Sequence, residues 1–362
     1  MKKSTLALAI AAALAGFGSA AYADTTLYGS ARVSVDYEDF DSSYSQLPNG
    51  SLQRIIPGSD GWDVFNNASR LGVRGEEDLG GGLSAIYQYE FGVDVTEGGT
   101  GFNSNRPKWV GLKGSSWGSL TAGTQWTPYY NALGIGDIFN SSKIYDKDIY
   151  LGDAFGLRMD NSVIYSTPNW GGFSLQAMLV MNGTGGAPGK LNNLSDGVDM
   201  WNIGASYKNG PFFVGASYMA LNTNPKVFNA IGDDLDDPDQ WGAAVGFNSG
   251  PFAVSLTYER GEVNARNFGV TENYFLTGQY TFGNNILRAA YGHSDPKDSS
   301  YNILVNNAPV TVVQEEADNF VLGYQYNLSK RTRLWVEYVG QDIDSKLVGD
   351  RQAVSIGTRV DF

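Results

Sequence analysis

The chain has no cysteine and a single histidine, His293, among 362 residues. The first absence removes disulfides and thiolate zinc sites. The second leaves nothing from which to build a multi-histidine metal centre or a Ser-His-Asp arrangement, and no enzyme is expected. Positive charge is scarce: 25 Lys and Arg against 38 Asp and Glu give a net charge of −13, which argues against nucleic acid as a partner. Beyond residue 23 no apolar run approaches the roughly 20 residues a membrane helix requires, and no amphipathic helical pattern outlasts a few turns. Any membrane crossing must therefore be made by strands.

The apolar run that does exist lies at the start, in MKKSTLALAIAAALAGFGSAAYA. Lys2 and Lys3, a short apolar stretch from Leu6 to Leu14 and the small-residue close Ala21-Tyr22-Ala23 read as a secretory signal over residues 1–23. Cleavage before Asp24 would leave residues 24–362 as one exported unit.

That unit is rich in strand and turn formers, with 46 Gly, 21 Tyr and 18 Phe in the whole chain. Period-2 alternation predicts sixteen strands, near 25–37, 67–77, 82–95, 105–114, 118–127, 158–168, 172–182, 198–208, 211–221, 239–248, 251–262, 271–282, 284–294, 317–327, 331–342 and 350–362. The clearest is LSAIYQYEFGVDV, where Leu83, Ala85, Tyr87, Tyr89, Phe91, Val93 and Val95 share one face. Short connectors (KNGP at 208–211, NSGP at 248–251, FGNN at 282–285, NLSK at 327–330) alternate with long polar ones near 38–66, 128–157, 183–197, 222–238 and 295–316. Tight turns on one rim and large loops on the other are expected of a sixteen-stranded antiparallel transmembrane β-barrel with short periplasmic turns and long external loops. Tyr258, Tyr280, Phe282, Tyr324, Tyr326 and Phe362 fall where strands end, as interfacial girdles do.

The stretch NASRLGVRGEED fixes the register. Arg70, Gly72, Arg74 and Glu76 share one face, Leu71 and Val73 the other. An arginine facing lipid at mid-membrane costs about 2–4 kcal/mol, so the arginines must face water inside. The same rule sends Arg32, Glu90, Arg106 and Arg158 inward. A barrel of sixteen strands is too wide for side chains to fill and leaves an aqueous channel.

The order TLYGSARVSVDY, SRLGVRGEEDLGGGLSAIYQYEF, RPKWVGLKG with GSLTAGTQ, RMDNSVIYSTPNWGGF, LSKRTRLWVEY and a terminal SIGTRVDF resembles the general diffusion porins of Gram-negative bacteria, especially their betaproteobacterial branch, over essentially the whole exported chain. The resemblance implies a homotrimer in the outer membrane, in contact with its lipid and with lipopolysaccharide. Subunits would meet through the first and last few strands, with the second external loop reaching into a neighbour. The third external loop, residues 128–157, would fold into the lumen as a constriction passing small hydrophilic solutes and ions. A basic wall opposite it maps onto Arg70, Arg106 and Arg158, with Arg32, Arg74 and Lys108 as further candidates. The loop contributes Asp137, Lys143, Asp146, Lys147, Asp148 and Asp153, and Glu90 is a lumen acid. The resemblance also makes Phe362, in phase with Val360, Thr358, Ile356 and Val354, a signal for the outer-membrane assembly machinery.

The sequence departs from its relatives in lacking a basic residue at GTQ (123–125), in carrying Ser30 where enteric porins place a lysine, and in lacking their loop motif PEFGGD. For Arg74 a salt bridge with Glu76 is the favoured reading over a filter role. The inward set of six cations (Arg32, Arg70, Arg74, Arg106, Lys108, Arg158) against five anions (Asp36, Glu76, Glu90, Asp94, Asp160) predicts a modest anion preference. No cofactor is required. The acidic stretch GDDLDDPDQ (232–240) is a candidate for Ca²⁺ or Mg²⁺, although it lacks the calcium-loop Gly and Glu positions and a solvated external loop is the stronger reading. The runner-up is a channel specific for small anions, and from other classes a barrel enzyme or an adhesin.

Overall fold

A computed structural model describes residues 24–46, 52–97, 102–103, 106–143, 157–181, 197–222, 239–264, 267–297, 300–305, 308–313, 316–345 and 349–362. The alternating segments pair with their sequence neighbours into one closed antiparallel sheet. Its spans are β1 (Asp24–Phe40), β2 in two segments (Ser59–Asn66 and Arg70–Gly80), β3 (Leu83–Val93), β4 (Lys108–Gly114, preceded by the short pairing segment Phe102–Asn103), β5 (Gly118–Trp126), β6 (Arg158–Ser166), β7 (Phe173–Val180) and β8 (Met200–Asn209). They continue as β9 (Phe212–Leu221), β10 (Asp239–Ser249), β11 (Phe252–Asn264), β12 (Asn267–Phe282), β13 (Asn285–Pro296), β14 (Ala317–Asn327), β15 (Thr332–Ile343) and β16 (Arg351–Asp361). The eighteen hydrogen-bonded segments thus make sixteen spans, because β2 and β4 are each interrupted.

β1 closes the cylinder. Its first half pairs with the inner segment of β2, from Asp24↔Glu76 to Ser30↔Arg70, and its second half with β16, from Ser30↔Asp361 to Phe40↔Arg351. The wall is inverted relative to a soluble protein. Leu256, Leu276 and Leu322 are 42%, 46% and 60% exposed on the outside, while Thr257, Thr277 and Asn319, on the opposite phase of the same strands, are almost completely buried. This is the apolar-out, polar-in pattern that lipid outside and water inside impose. Two belts of aromatics cap the apolar band. On the short-turn rim Phe212 meets Phe247 and Phe252 meets Tyr280; on the long-loop rim Trp241, Tyr258 and Tyr274 meet edge-on or tilted in sequence, with ring centroids 5.3 and 5.0 Å apart. His293 sits on this outer rim, its Nδ1 2.9 Å from Asp318 Oδ1, which also accepts the Tyr291 hydroxyl at 2.6 Å.

The tight turns close through residues of positive φ: Gly210 (56°) and Gly250 (58°) occupy the left-handed region that a side chain would disfavour. The long connectors hold more structure than the alternation predicts. The outer segment of β2 lies in the stretch 38–66, and two small hairpins pair Ser43–Gln46 with Leu52–Ile56 and Ser300–Val305 with Ala308–Val313. Beyond the apolar band water lies on both sides of a strand, so the period-2 signal fades there. Residues 1–23 lie outside the described residues, as does most of the acidic stretch at 232–240. Of that stretch, Asp239 accepts a hydrogen bond from the Tyr218 hydroxyl at 2.6 Å.

Candidate functional site: a strapped, arginine-lined lumen

The third external loop turns into the barrel and is held in three places. Thr127 caps a short helix, α1 (Pro128–Leu133), by accepting the Tyr130 N–H at 3.2 Å, and Pro128 opens the first turn where its missing N–H costs nothing. α1 lies on an apolar patch inside the wall, with Tyr129 and Leu133 against Met159, Met178, Met200 and Met219. Methionines suit this use because they fill irregular gaps. Two polar bonds orient the helix: Tyr129 N–H donates to Asn202 Oδ1 (2.8 Å) and its hydroxyl to Glu259 (2.8 Å). The fit depends on missing side chains, since a Cβ at Gly215 would lie 2.0 Å from the Ala132 carbonyl and one at Gly204 2.6 Å from that of Pro128. Replacing Gly215 with valine should push α1 into the lumen. A lower single-channel conductance than the parent's would show it, and an unchanged conductance would place the helix off this wall.

After a 3-10 turn (Gly134–Gly136) the chain crosses to the opposite strands, where Phe139 packs with Phe275, Val321 and Val339. There the buried Glu337 carboxylate of β15 accepts the N–H of Asn140 (2.8 Å), that of Ser141 (2.9 Å) and the Asn140 side-chain amide (2.9 Å), with Arg288 at 3.8 Å. The third fastening is Lys143. Its Nζ reaches Glu38 at 2.7 Å and Asp63 at 3.0 Å, and Arg351 holds its carbonyl at 2.7 Å. Burial alone would lower the Lys143 ammonium, but the hydrogen bonds to Glu38 and Asp63 outweigh it and raise its pKa above the ordinary lysine range. Lys143 is thus spent on the wall rather than on the lumen. Asp146, Lys147, Asp148 and Asp153 lie outside the described residues. Among the loop acids this leaves Asp137, which accepts the Tyr130 hydroxyl at 2.6 Å and is in electrostatic range of Arg32 and Arg70.

The wall beyond the strap carries the arginines. β2 breaks at Ala68, whose φ of 60° turns its carbonyl to accept Arg106 Nη2 at 2.9 Å. Glu90, from β3, sits between Arg70 and Arg106, 3.7 Å from each, and accepts the Tyr28 hydroxyl at 3.0 Å. One carboxylate therefore serves two guanidinium groups. Arg70 and Arg158 are in electrostatic range of Arg106 as well, so guanidinium groups crowd around this carboxylate. Arg158 lies 4.4 Å above the Trp126 ring, which stacks on Tyr130 of α1 at 4.3 Å. Arg32 donates to Ser30 Oγ at 2.7 Å.

The structure brings together Arg32, Arg70, Arg106, Arg158, Glu90 and Asp137, and corrects four other assignments. Arg74 stands over the Tyr28 ring (5.3 Å), while Glu76 pairs with Lys113 (3.1 Å), so the expected Arg74–Glu76 bridge is replaced on both sides. Lys108 takes the outer phase: it is in register with Tyr89 and Thr124, and its Nζ lies 5.2 Å from the outward Phe91 ring. Arg106 and Lys108 separate because β4 begins only at Lys108, which frees Arg106 from the alternation. Asp160 accepts from Thr124 on that outer face (2.7 Å), because a bulge at Asp160–Asn161, with Asn161 at φ 53°, slips the phase of β6. Asp94 lies past the end of β3 and caps a turn through Thr96 and Glu97. Sequence reasoning also missed Arg333, Arg359 and Asp361 on β15 and β16. Arg333 Nη2 and Arg359 Nε both hold Asp361, at 2.5 and 2.7 Å. Strict alternation from Phe362 places Arg359 and Asp361 inward, and alternation with the outward Leu334 and Val336 does the same for Arg333; these were the signals that could have found them.

A closed barrel, apolar outside and polar within, with a loop strapped across an arginine-lined lumen, defines a transmembrane β-barrel channel. The profile of the Gram-negative porins matches residues 7–345, and the chain belongs to that family of the bacterial outer membrane. An outer membrane porin of Bordetella pertussis is 28% identical, with 99% of each chain covered. Outer membrane porin protein 32 of Delftia acidovorans is 29% identical, covering 92% of this chain and 88% of that one. Among solved structures, the anion-selective porin from Comamonas acidovorans superimposes with a TM-score of 0.68 over 94% of this chain and 100% of that one, at 22% identity.

Proposed function

We propose that the protein is a general diffusion porin: a water-filled pore for small hydrophilic solutes and ions with a modest preference for anions. The observation that carries the preference is the crowding of positive charge in the lumen: Arg70 and Arg106 lie on one carboxylate, Glu90, and Arg32 is in electrostatic range of both. Guanidinium stays charged throughout the working pH range, so the excess is permanent. With a Debye length of about 8 Å at physiological salt, these local groups outweigh the acidic loops at the rim. In this reading Arg32, Arg70, Arg106 and Arg158 form the basic side of the constriction, and Asp137 on the strap faces them.

The functional unit is a homotrimer in the outer membrane, in contact with lipopolysaccharide. Residues 1–23 act as a cleaved signal, and Phe362 is read by the assembly machinery. Phe362 already closes the barrel, exchanging both backbone hydrogen bonds with Gly29 at 3.0 and 3.1 Å. Single-channel recording of the refolded protein in a planar bilayer under a potassium chloride gradient tests the proposal. Large ohmic steps closing in threes, with a reversal potential of the sign for chloride, are the expected result; a cation-signed potential or no conductance from folded protein would reject it.

A further inference from the structure

From Arg32 of the constriction a second row of arginines runs along the inner wall. Arg32 is the register partner of Arg359, and Arg359 of Arg333, so three guanidinium side chains stand abreast on β1, β16 and β15, all on the lumen face. Paired residues on adjacent strands have Cβ atoms only about 4.5–5.5 Å apart, and like charges so placed are destabilising. One carboxylate, Asp361, serves Arg333 and Arg359, while Arg32 Nε donates to the Ser30 hydroxyl. Three cations thus answer to one anion here, a larger excess than the two around Glu90. Both Arg333 and Arg359 remain wet, with side chains 23% and 24% exposed.

The row has a definite place in the pore. Arg333 follows the tight turn that opens β15 and Arg359 lies near the end of β16, so both sit toward the short-turn mouth. Arg32 joins this row to the constriction, being in electrostatic range of Arg70 and Arg106 as well as of Arg359. The guanidinium groups therefore form a continuous line from the strap to the periplasmic mouth.

We infer that Arg32, Arg359 and Arg333 make an anion-docking station below the constriction, suited to a small doubly charged oxyanion such as phosphate or sulfate. This inference rests on the reading of the chain as an anion-preferring pore. The chemistry fits because each guanidinium has five N–H donors and Asp361 engages Arg359 through Nε and Arg333 through one Nη, leaving each with donors for a second oxyanion. A resident dianion would slow chloride through the same passage.

The test is chloride conductance of the trimer in a planar bilayer as potassium phosphate is added. Phosphate should reduce the parent's chloride current in a saturable way. The R333Q/R359Q variant should raise the half-blocking concentration by tenfold or more, R333K/R359K by less, and D361N should lower it. The ohmic conductance of each variant serves as its assembly control, and D361N and R359Q alone keep the test open should the double variant fail to assemble. Absence of a saturable block in the parent, or the same block in R333Q/R359Q or R359Q as in the parent, overturns the station. The parent's reversal potential separates the two readings: a cation-preferring parent removes the anion-preferring pore itself, whereas an anion-preferring parent with an unmoved block removes only the station.

Discussion

The triple variant R70Q/R106Q/R158Q is expected to convert an anion-preferring pore into a cation-preferring one. At the constriction, among the described residues, four cations, Arg32, Arg70, Arg106 and Arg158, face two carboxylates, Glu90 and Asp137. Glutamine keeps length and polarity while removing three charges, so one cation remains against two anions and the sign of the local field reverses. Unit charges about 4 Å apart interact by about 1 kcal/mol even at the dielectric constant of water, roughly a fivefold bias per charge. Three such changes should move the chloride-to-potassium permeability ratio by at least tenfold. The reversal potential in a potassium chloride gradient reads this directly. Low salt should give the largest shift, since screening shortens the reach of each charge to about 3 Å near 1 M.

An internal control separates field from structure. Removing Arg106 also leaves the Ala68 carbonyl without its donor, at a cost of about 1–3 kcal/mol if the group stays dry. Adding E90Q to the triple variant does nothing to restore that bond, yet it removes one of the two remaining acids and so balances the charge. The reversal potential should then return toward zero while stability does not. A triple variant with the parent's reversal potential would show that these arginines only brace the wall.

Most of the barrel was legible in the sequence because its two faces meet different solvents. Leu71 and Val73 could not share a side with Arg70 and Arg74, and a one-residue slip would have put arginine in lipid. The same rule failed wherever a strand ceased to be regular. Pro107 stands between Arg106 and the first residue of β4, and the Asn161 bulge reverses the parity of β6, so alternation misplaced Lys108 and Asp160. The course of the strap was hidden for a different reason: its contacts join residues more than a hundred positions apart, such as Tyr129 with Glu259 and Asn140 with Glu337. A trace of it is nevertheless present. Met178, Met200, Met219, Phe275, Val321 and Val339 are apolar residues on the water phase, and each is buried where the loop lies over it. Apolar side chains on the wrong face of a barrel strand thus mark the path of a loop folded inside.

The other large effect is expected from Glu337→Ala, which should widen the pore without dismantling the barrel. Glu337 contributes nothing to the outer face and its backbone pairing with Ser355 and Gly323 does not depend on its side chain. Its carboxylate, however, is the polar anchor of the strap on this side, taking two backbone N–H groups and one side-chain amide from Asn140 and Ser141. Truncating it strands the two backbone donors and removes the acid beside Arg288, whose guanidinium keeps, among the described residues, Gln279 and Gln325, each at 3.0 Å. Breaking a buried pair on one side costs about 3–5 kcal/mol. The barrel can absorb this through its sheet, but the strap is left at this crossing with the Phe139 contact and one hydrogen bond from the Asn140 amide to Gln325 at 3.0 Å. The strap should therefore spend much of its time off the wall between Phe139 and Lys143. Single channels should show higher mean conductance and greater current noise, with a raised size cut-off for neutral solutes. Glu337→Gln, which retains an acceptor oxygen but not the charge, should fall between the two. Parent-like conductance and noise in Glu337→Ala would mean that α1 on its methionine patch and Lys143 on Glu38 fix the strap by themselves.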